Sequence, residues 1–306
     1  MYAHPRREKL AKDRGSEGFS TVRDRTGSTL PPMVIDTGMR IETSGAFVHG
    51  VRGDVTQLEA LNQNISDAPT IRWRGLEFDL PNQDVYPPKK ASLLLASVAT
   101  SRVQPSDRVL DLCTGSGVIA IAVARIAGVA SVHAGDINPH AVASASLNAS
   151  RNGASIVALV GDLDGPFEPG LYDFVTVHPP AVPYPAPGSW GLSWGMEIAT
   201  NGGIDGTDVA IRSVLAAKRS LREGGRLLLL LPRWCHFERV LDVLRGNFRD
   251  ITESAVQPID FFPATEGRPE NDAMGHMQRL VDARAIRLEE NNGTLFSYAS
   301  VIEAYK

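Results

Sequence analysis

An α/β fold, with a parallel sheet covered by helices on both faces, is what this sequence predicts, and three observations carry the prediction. From residue 108 onward, apolar segments of strand length alternate with longer helical patterns. The apolar run RLLLLLP at 226–232 is nearly continuous, as a strand buried on both faces should be. A glycine-rich turn in VLDLCTGSG joins the first of these strands to its helix, and sheets of this kind bind ligands at the carboxyl ends of their strands.

The elements follow in order. Residues 1–32 are rich in charge, Gly, Ser and Thr and end in TLPP; they read as a loosely packed lead-in. Residues 33–85 read as a small N-terminal cap. Within them TIRWRGLEFDLP alternates Ile71 and Trp73, then Leu76, Phe78 and Leu80, around Arg74-Gly75, which predicts a hairpin. The main domain is expected over 86–306. It begins with a Pro-Pro turn and a leucine-rich helix in VYPPKKASLLLASVAT (85–100). Strands are predicted at 108–112, 131–137, 155–162, 172–178, 226–232 and 294–305. Helices are predicted at 118–128, 140–153, 207–225 and 235–246, the third read as stopping at Gly224-Gly225. The stretches 184–203 and 261–272 read as loops, the second able to cover a site.

Composition bounds the function. With 31 basic and 35 acidic residues the net charge is −4, so no broad basic surface for nucleic acid is expected. The two cysteines, Cys113 and Cys235, form no zinc-type spacing with the histidines, so no metal site is expected and a reduced, cytoplasmic protein is. No run approaches the roughly 18 apolar residues of a membrane span, and the first twenty residues hold no apolar signal core.

The chemistry concentrates at the predicted strand ends. Gly115 and Gly117 lack a Cβ and let a ligand approach the backbone. Asp111 ends the first strand and is placed to orient that loop or to bind an ammonium group. Asp136 ends the second strand, where a carboxylate can accept hydrogen bonds from ribose hydroxyls. Asp162 ends the third strand, within reach of an adenine ring or its amine. The loop alone does not exclude a nicotinamide dinucleotide, but the fourth strand ends in His178, Pro179 and Pro180, with no constellation for hydride transfer.

Taken together, DLCTGSGVIAIAVA, GDINPHAVASASLNASRNG and YDFVTVHPP resemble the class I S-adenosylmethionine-dependent methyltransferases. More narrowly they resemble the HemK/PrmC group of release-factor glutamine methyltransferases. DVYPPKKASLLLASVA and GGIDGTDVAIRSVLAAKRSLREGGRLLLLLP support the narrower match, and the resemblance covers roughly residues 70–235. It implies a Rossmann-like, seven-stranded sheet with an antiparallel strand near the C-terminus, and S-adenosylmethionine held by Asp111, Gly115, Gly117, Asp136 and Asp162. The group's fourth strand ends in N-P-P-Y, where the Asn oxygen and a carbonyl grip a planar nitrogen. Here the letters are His178-Pro179-Pro180-Ala181. A histidine adds a proton acceptor of ordinary pKa near 6.5, worth about 10²- to 10⁴-fold as a general base; a hydrogen-bonding wall is the other role open to it.

His178 and Tyr184 are therefore the candidate catalytic residues, and Tyr86, Pro179, Trp190 and Trp194 the candidate substrate-binding ones. The altered letters and the aromatic loop after them lead to the expectation of a small aromatic or indole-like biosynthetic acceptor, methylated at N, C or O. Two other readings stand beside it: a protein glutamine methyltransferase, and a protein that binds the cofactor without turnover. The loop aromatics could line a flat pocket, pack against the N-terminal segment, or meet the second copy of a homodimer.

Overall fold

The computed structural model describes residues 70–80, 84–261 and 272–306, together with the backbone of three short strand segments at 22–23, 29–30 and 40–42. The lead-in over 1–32, apart from the backbone of 22–23 and 29–30, lies outside the described residues. So do most of 33–69 and all but the ends of the predicted loop at 261–272.

The hairpin comes first. β1 (Thr70–Trp73) pairs antiparallel with β2 (Leu76–Asp79), with Trp73 opposite Leu76. Arg74 and Gly75 both take positive φ, 50° and 79°, the turn whose twist matches a two-residue hairpin. A strand at Arg40–Glu42 adds to β1 on its other side.

The main sheet is built from β3 (Arg108–Leu112), β4 (Ser131–Asp136), β5 (Val157–Val160), β6 (Tyr172–Val177), β7 (Leu221–Pro232), β8 (Arg249–Asp260), β9 (Glu289–Asn291) and β10 (Thr294–Tyr305). Its order is β8-β10-β7-β6-β3-β4-β5, with β9 attached to β10. The strands from β7 through β5 are parallel; β10 runs antiparallel to β7, β8 and β9. The strand order reverses between β3 and β6, so the crevice of the sheet opens there, at the carboxyl ends of those strands.

Side chains alternate between two layers with the period of two that a pleat demands. Val109, Phe174, Leu228 and Leu230 face one core, with α1 (Lys90–Arg102) and α2 (Val118–Ile126). Leu110, Val175, Leu227 and Leu229 face the other, with α5 (Asp208–Ser220) and α6 (Phe237–Asn247). α1 is buried along nine consecutive residues, Ala91–Ala99. Its leucines Leu93, Leu94 and Leu95 are fully buried, each stabilising by about 1.5–3 kcal/mol relative to exposure.

α3 (Pro139–Arg151) begins at an Asn-Pro start, Asn138 capping the His140 N–H. Its C-terminal half anchors the hairpin. Asn148 exchanges hydrogen bonds with the Asp79 backbone (2.8 Å to its Oδ1, 3.2 Å from its Nδ2), and Asn152 does the same with Glu77 (2.9 and 2.7 Å). Two amides one turn apart thus imitate a strand along β2. Arg151 adds ion pairs to Glu77 and Asp79.

The predicted helix over 207–225 ends earlier, at Ser220. Leu221 is drawn into extended pairing with Tyr172 and is fully buried, and the sheet register shifts between Leu221 and Arg226, around the Gly224-Gly225 turn. Those glycines belong to the strand's irregular start. The predicted loops hide α4 (Trp194–Thr200), and β8 and α7 (Ala273–Asp282) were not foreseen. Among the described residues no helix is long and apolar enough to cross a membrane.

Candidate functional site

A cavity of about 520 Å³ opens at the carboxyl ends of β3, β4 and β6. Its floor is the turn between β3 and α2. Gly115 sits there with φ 55°, and a Cβ built on it would meet nothing nearer than the Tyr86 carbonyl at 3.9 Å. The missing side chain is space for a ligand. Gly117 is different: it does not line the cavity, and a Cβ there would fall 2.9 Å from the Ala145 Cβ on α3. Its φ of 84° and this close helix packing, not a ligand, require glycine.

Asp111 also lies beneath the site and not in its wall. It is fully buried, and its carboxylate accepts the hydroxyls of Thr114 and Thr176, both at 2.7 Å. Burial raises its pKa to about 6. Of the two roles open to it, the geometry shows the loop-orienting one: it ties β6 to the glycine-rich turn. Cys113, at positive φ (58°), lines the cavity.

Asp136 lines the cavity. One carboxylate oxygen accepts the Gly115 N–H and the other the Asn138 N–H, both at 2.9 Å. Each oxygen keeps a lone pair for a ligand hydroxyl. Burial raises this carboxyl's pKa as well. Asp162 stands farther out, about half exposed, in an ion pair with Arg212, which also lines the cavity.

His178 follows directly on β6 and forms the cavity wall there together with Pro179 and Pro180. Its Nδ1 is 3.3 Å from the hydroxyl of Ser92 on α1, and the Tyr86 ring meets it edge-on at 6.4 Å. Desolvation lowers its pKa to about 4. That favours a hydrogen-bonding wall over a proton-holding base.

The next turns fix this wall. Val182 N–H donates to the Thr200 carbonyl (2.8 Å) and Tyr184 N–H to Gly203 (2.8 Å). The 202–206 turn presses against Ala181 so closely that a Cβ on Gly206 would lie 2.5 Å from the Ala181 carbonyl. Asp205 closes the turn through Thr207 (2.6 Å) and Arg239 (2.7 Å).

Of the residues expected to meet the acceptor, Tyr86, Pro179 and Trp194 line the cavity, Trp194 being 58% exposed at its mouth. Two do not. Tyr184 is buried, its hydroxyl paired with Thr200 at 2.7 Å. Trp190 is fully buried, its N–H donating to the Pro183 carbonyl (3.0 Å) and its ring edge-on to Phe261. Both carry apolar bodies long enough to join the first core layer, and that is where they pack.

Sequence reasoning missed Ser92, Asn138, Arg212 and Trp234, all of which line the cavity. Asn138 carried a legible signal, an Asn-Pro helix start directly after a strand-end acid. Its amide also donates to the Asp84 carbonyl (2.8 Å), tying down the strap that leads to Tyr86. Ser92 offered none; it is one serine inside a leucine-rich helix.

Residues 88–183 match the family described as methyltransferase small domain. The chain is 36% identical over 168 residues to a release factor glutamine methyltransferase of Gloeobacter violaceus, covering 52% of this chain and 58% of that protein. It is 30% identical over 192 residues to a ribosomal protein uL3 glutamine methyltransferase of Bordetella pertussis, covering 60% and 64%. It is 33% identical over 139 residues to a ribosomal protein L11 methyltransferase of Thermus thermophilus, covering 41% and 54%. The chain thus spans less than two thirds of each of these relatives. The resemblance to the S-adenosylmethionine-dependent methyltransferases holds, and S-adenosylmethionine is the cofactor this domain implies. The open cradle at Gly115 and the spare lone pairs of Asp136 fit it. The small aromatic acceptor does not hold: these relatives are named for protein substrates, which overturns the expectation of a small-molecule partner.

Proposed function

We propose that this protein methylates the side-chain amide nitrogen of a glutamine in a protein substrate. The observation that carries the reading is His178. It stands at the tip of β6, in one cavity with Gly115 and Asp136. The identity of 30–36% to glutamine methyltransferases of a release factor and of a ribosomal protein supports it, and a component of the translation machinery is the substrate class we infer. A substrate of that class supports a cytoplasmic location.

Bound S-adenosylmethionine supplies a methyl group on a sulfonium, already a good electrophile. The chain's residues supply position, which accounts for most of what such a transfer needs. Gly115 and Asp136 would hold the cofactor, with Asp162 available farther out. Asp111 and Gly117 act from below by shaping the turn. Across the cavity, His178 accepts a hydrogen bond from the amide N–H and so turns its nitrogen toward the methyl group. Tyr86 and Pro179 flank the amide, and Trp194 stands where the substrate chain enters. With a pKa near 4, His178 does not retain the amide proton at pH 7; water takes it.

The test is transfer of labelled methyl from S-adenosylmethionine to a release-factor-type protein and to a version whose acceptor glutamine is alanine. Label in the first and not the second is expected. Label that persists in the alanine version, or that appears in neither protein while the cofactor binds, would overturn the reading.

A further inference from the structure

We propose that Ser92 is a positioning residue that sets which nitrogen of His178 carries the proton, leaving Nε2 as the acceptor for the glutamine N–H. The proposal rests on the protein-glutamine reading above.

An asparagine at position 178, as in the group this chain resembles, would offer an oxygen that accepts in every state. A neutral imidazole offers one donor and one acceptor, and which nitrogen is which must be fixed from outside. It is fixed by the bond the other nitrogen makes. In this chain Nδ1 is the nitrogen engaged, 3.3 Å from Ser92 Oγ. Ser92 is 4% exposed, on the first turn of α1, with buried residues on either side along the helix. Its hydroxyl lies between the His178 ring and the cavity that both residues line. Its own O–H can turn to solvent in that cavity, which leaves a lone pair to accept from Nδ1–H. The proton then sits on Nδ1, and Nε2 is left with a bare lone pair for the cavity.

The opposite arrangement, Ser92 donating to Nδ1, would put an N–H on Nε2. That N–H would face the N–H of the target amide, two donors with no acceptor between them. Only the first arrangement serves the reaction. Pro179 and Pro180 stiffen the backbone after His178, and Tyr86 packs edge-on to the ring. The position of the ring is therefore settled by the fold, and its chemical sense by Ser92.

Two measurements on the full chain test this. The first needs no substrate: long-range proton–nitrogen correlation spectra of protein labelled with ¹⁵N-histidine. The proton of His178 should be on Nδ1, and Ser92→Ala should shift the population toward Nε2–H. A wild-type ring protonated on Nε2, or a tautomer unmoved in Ser92→Ala, overturns the proposal, whatever the substrate proves to be. The second is a double-mutant cycle on glutamine methylation. Ser92→Ala should lower kcat/KM about tenfold with the cofactor Kd unchanged. In a His178→Asn background the same change should cost less than twofold, because an amide oxygen needs no tautomer set. An equal loss in both backgrounds would show Ser92 to be a packing residue and sink the idea. If no glutamine is methylated by the wild type, the functional reading fails, and the tautomer measurement still decides the role of Ser92.

Discussion

The two walls of the cavity are built on different plans. The wall formed by β3, β4 and the turn at 113–117 works through backbone: Gly115 is bare, and its N–H is pinned by Asp136, which Asn138 holds in turn. The wall at β6 works through side chains: His178, Ser92 and Tyr86 come from separate segments and meet only in the folded chain. A backbone cradle works through groups that every residue carries. A wall of side chains can be changed one residue at a time. The first wall should therefore govern cofactor affinity and the second turnover.

The largest expected effect separates them. His178→Ala should lower kcat on the order of 10²-fold through lost positioning, while the Kd for S-adenosylmethionine stays within about threefold. A matching loss of cofactor affinity by calorimetry would erase the division between the walls. Asp136→Asn is the converse: it should raise the cofactor Kd roughly tenfold or more by weakening charge-assisted hydrogen bonds, with kcat at saturation largely kept. Gly117→Ala should cost about 1–3 kcal/mol of stability, from the left-handed φ and the crowding against Ala145. Its thermal midpoint should fall while the protein that remains folded still binds cofactor. Asn152→Ala loosens the hairpin alone and should cost about 1 kcal/mol, with both walls working.

The acid side of the pH profile sharpens the same comparison. An imidazole stops accepting once it is protonated. Because burial lowers the His178 pKa to about 4, kcat/KM should hold level on its account from pH 8 down to about 6 and fall only as pH approaches 4. An inflection near 6.5 assigned to His178 would mean that the ring is well solvated and the side-chain wall open.

The sequence made the backbone plan legible and the side-chain plan only partly so. Strand β3, the glycine-rich turn and Asp136 sit next to one another in the chain, and their spacing is the signal. The hairpin, too, was legible from the alternation around Arg74-Gly75. His178 could be located because it ends an apolar strand. Its partner Ser92 lies 86 residues away in a helix whose pattern reports burial and nothing else. Tyr184 and Trp190 were expected in the site because large aromatics follow the proline turn; the core took both, one through Thr200 and the other through the Pro183 carbonyl. Asp111 lies in β3 and Gly117 in the turn after it, but sequence alone does not tell a residue that touches a ligand from one that shapes the loop beneath it. α4 escaped notice because seven residues are too few for a helical period to show.

The amides of Asn148 and Asn152 have a consequence for solubility. β2 is the last strand of its small sheet, and such a strand normally presents a row of unmet N–H and C=O groups on which another chain can grow. Here those groups at Glu77 and Asp79 are already answered by α3. The helix closes the sheet without adding a strand, so this border gives a neighbouring molecule no template for aggregation.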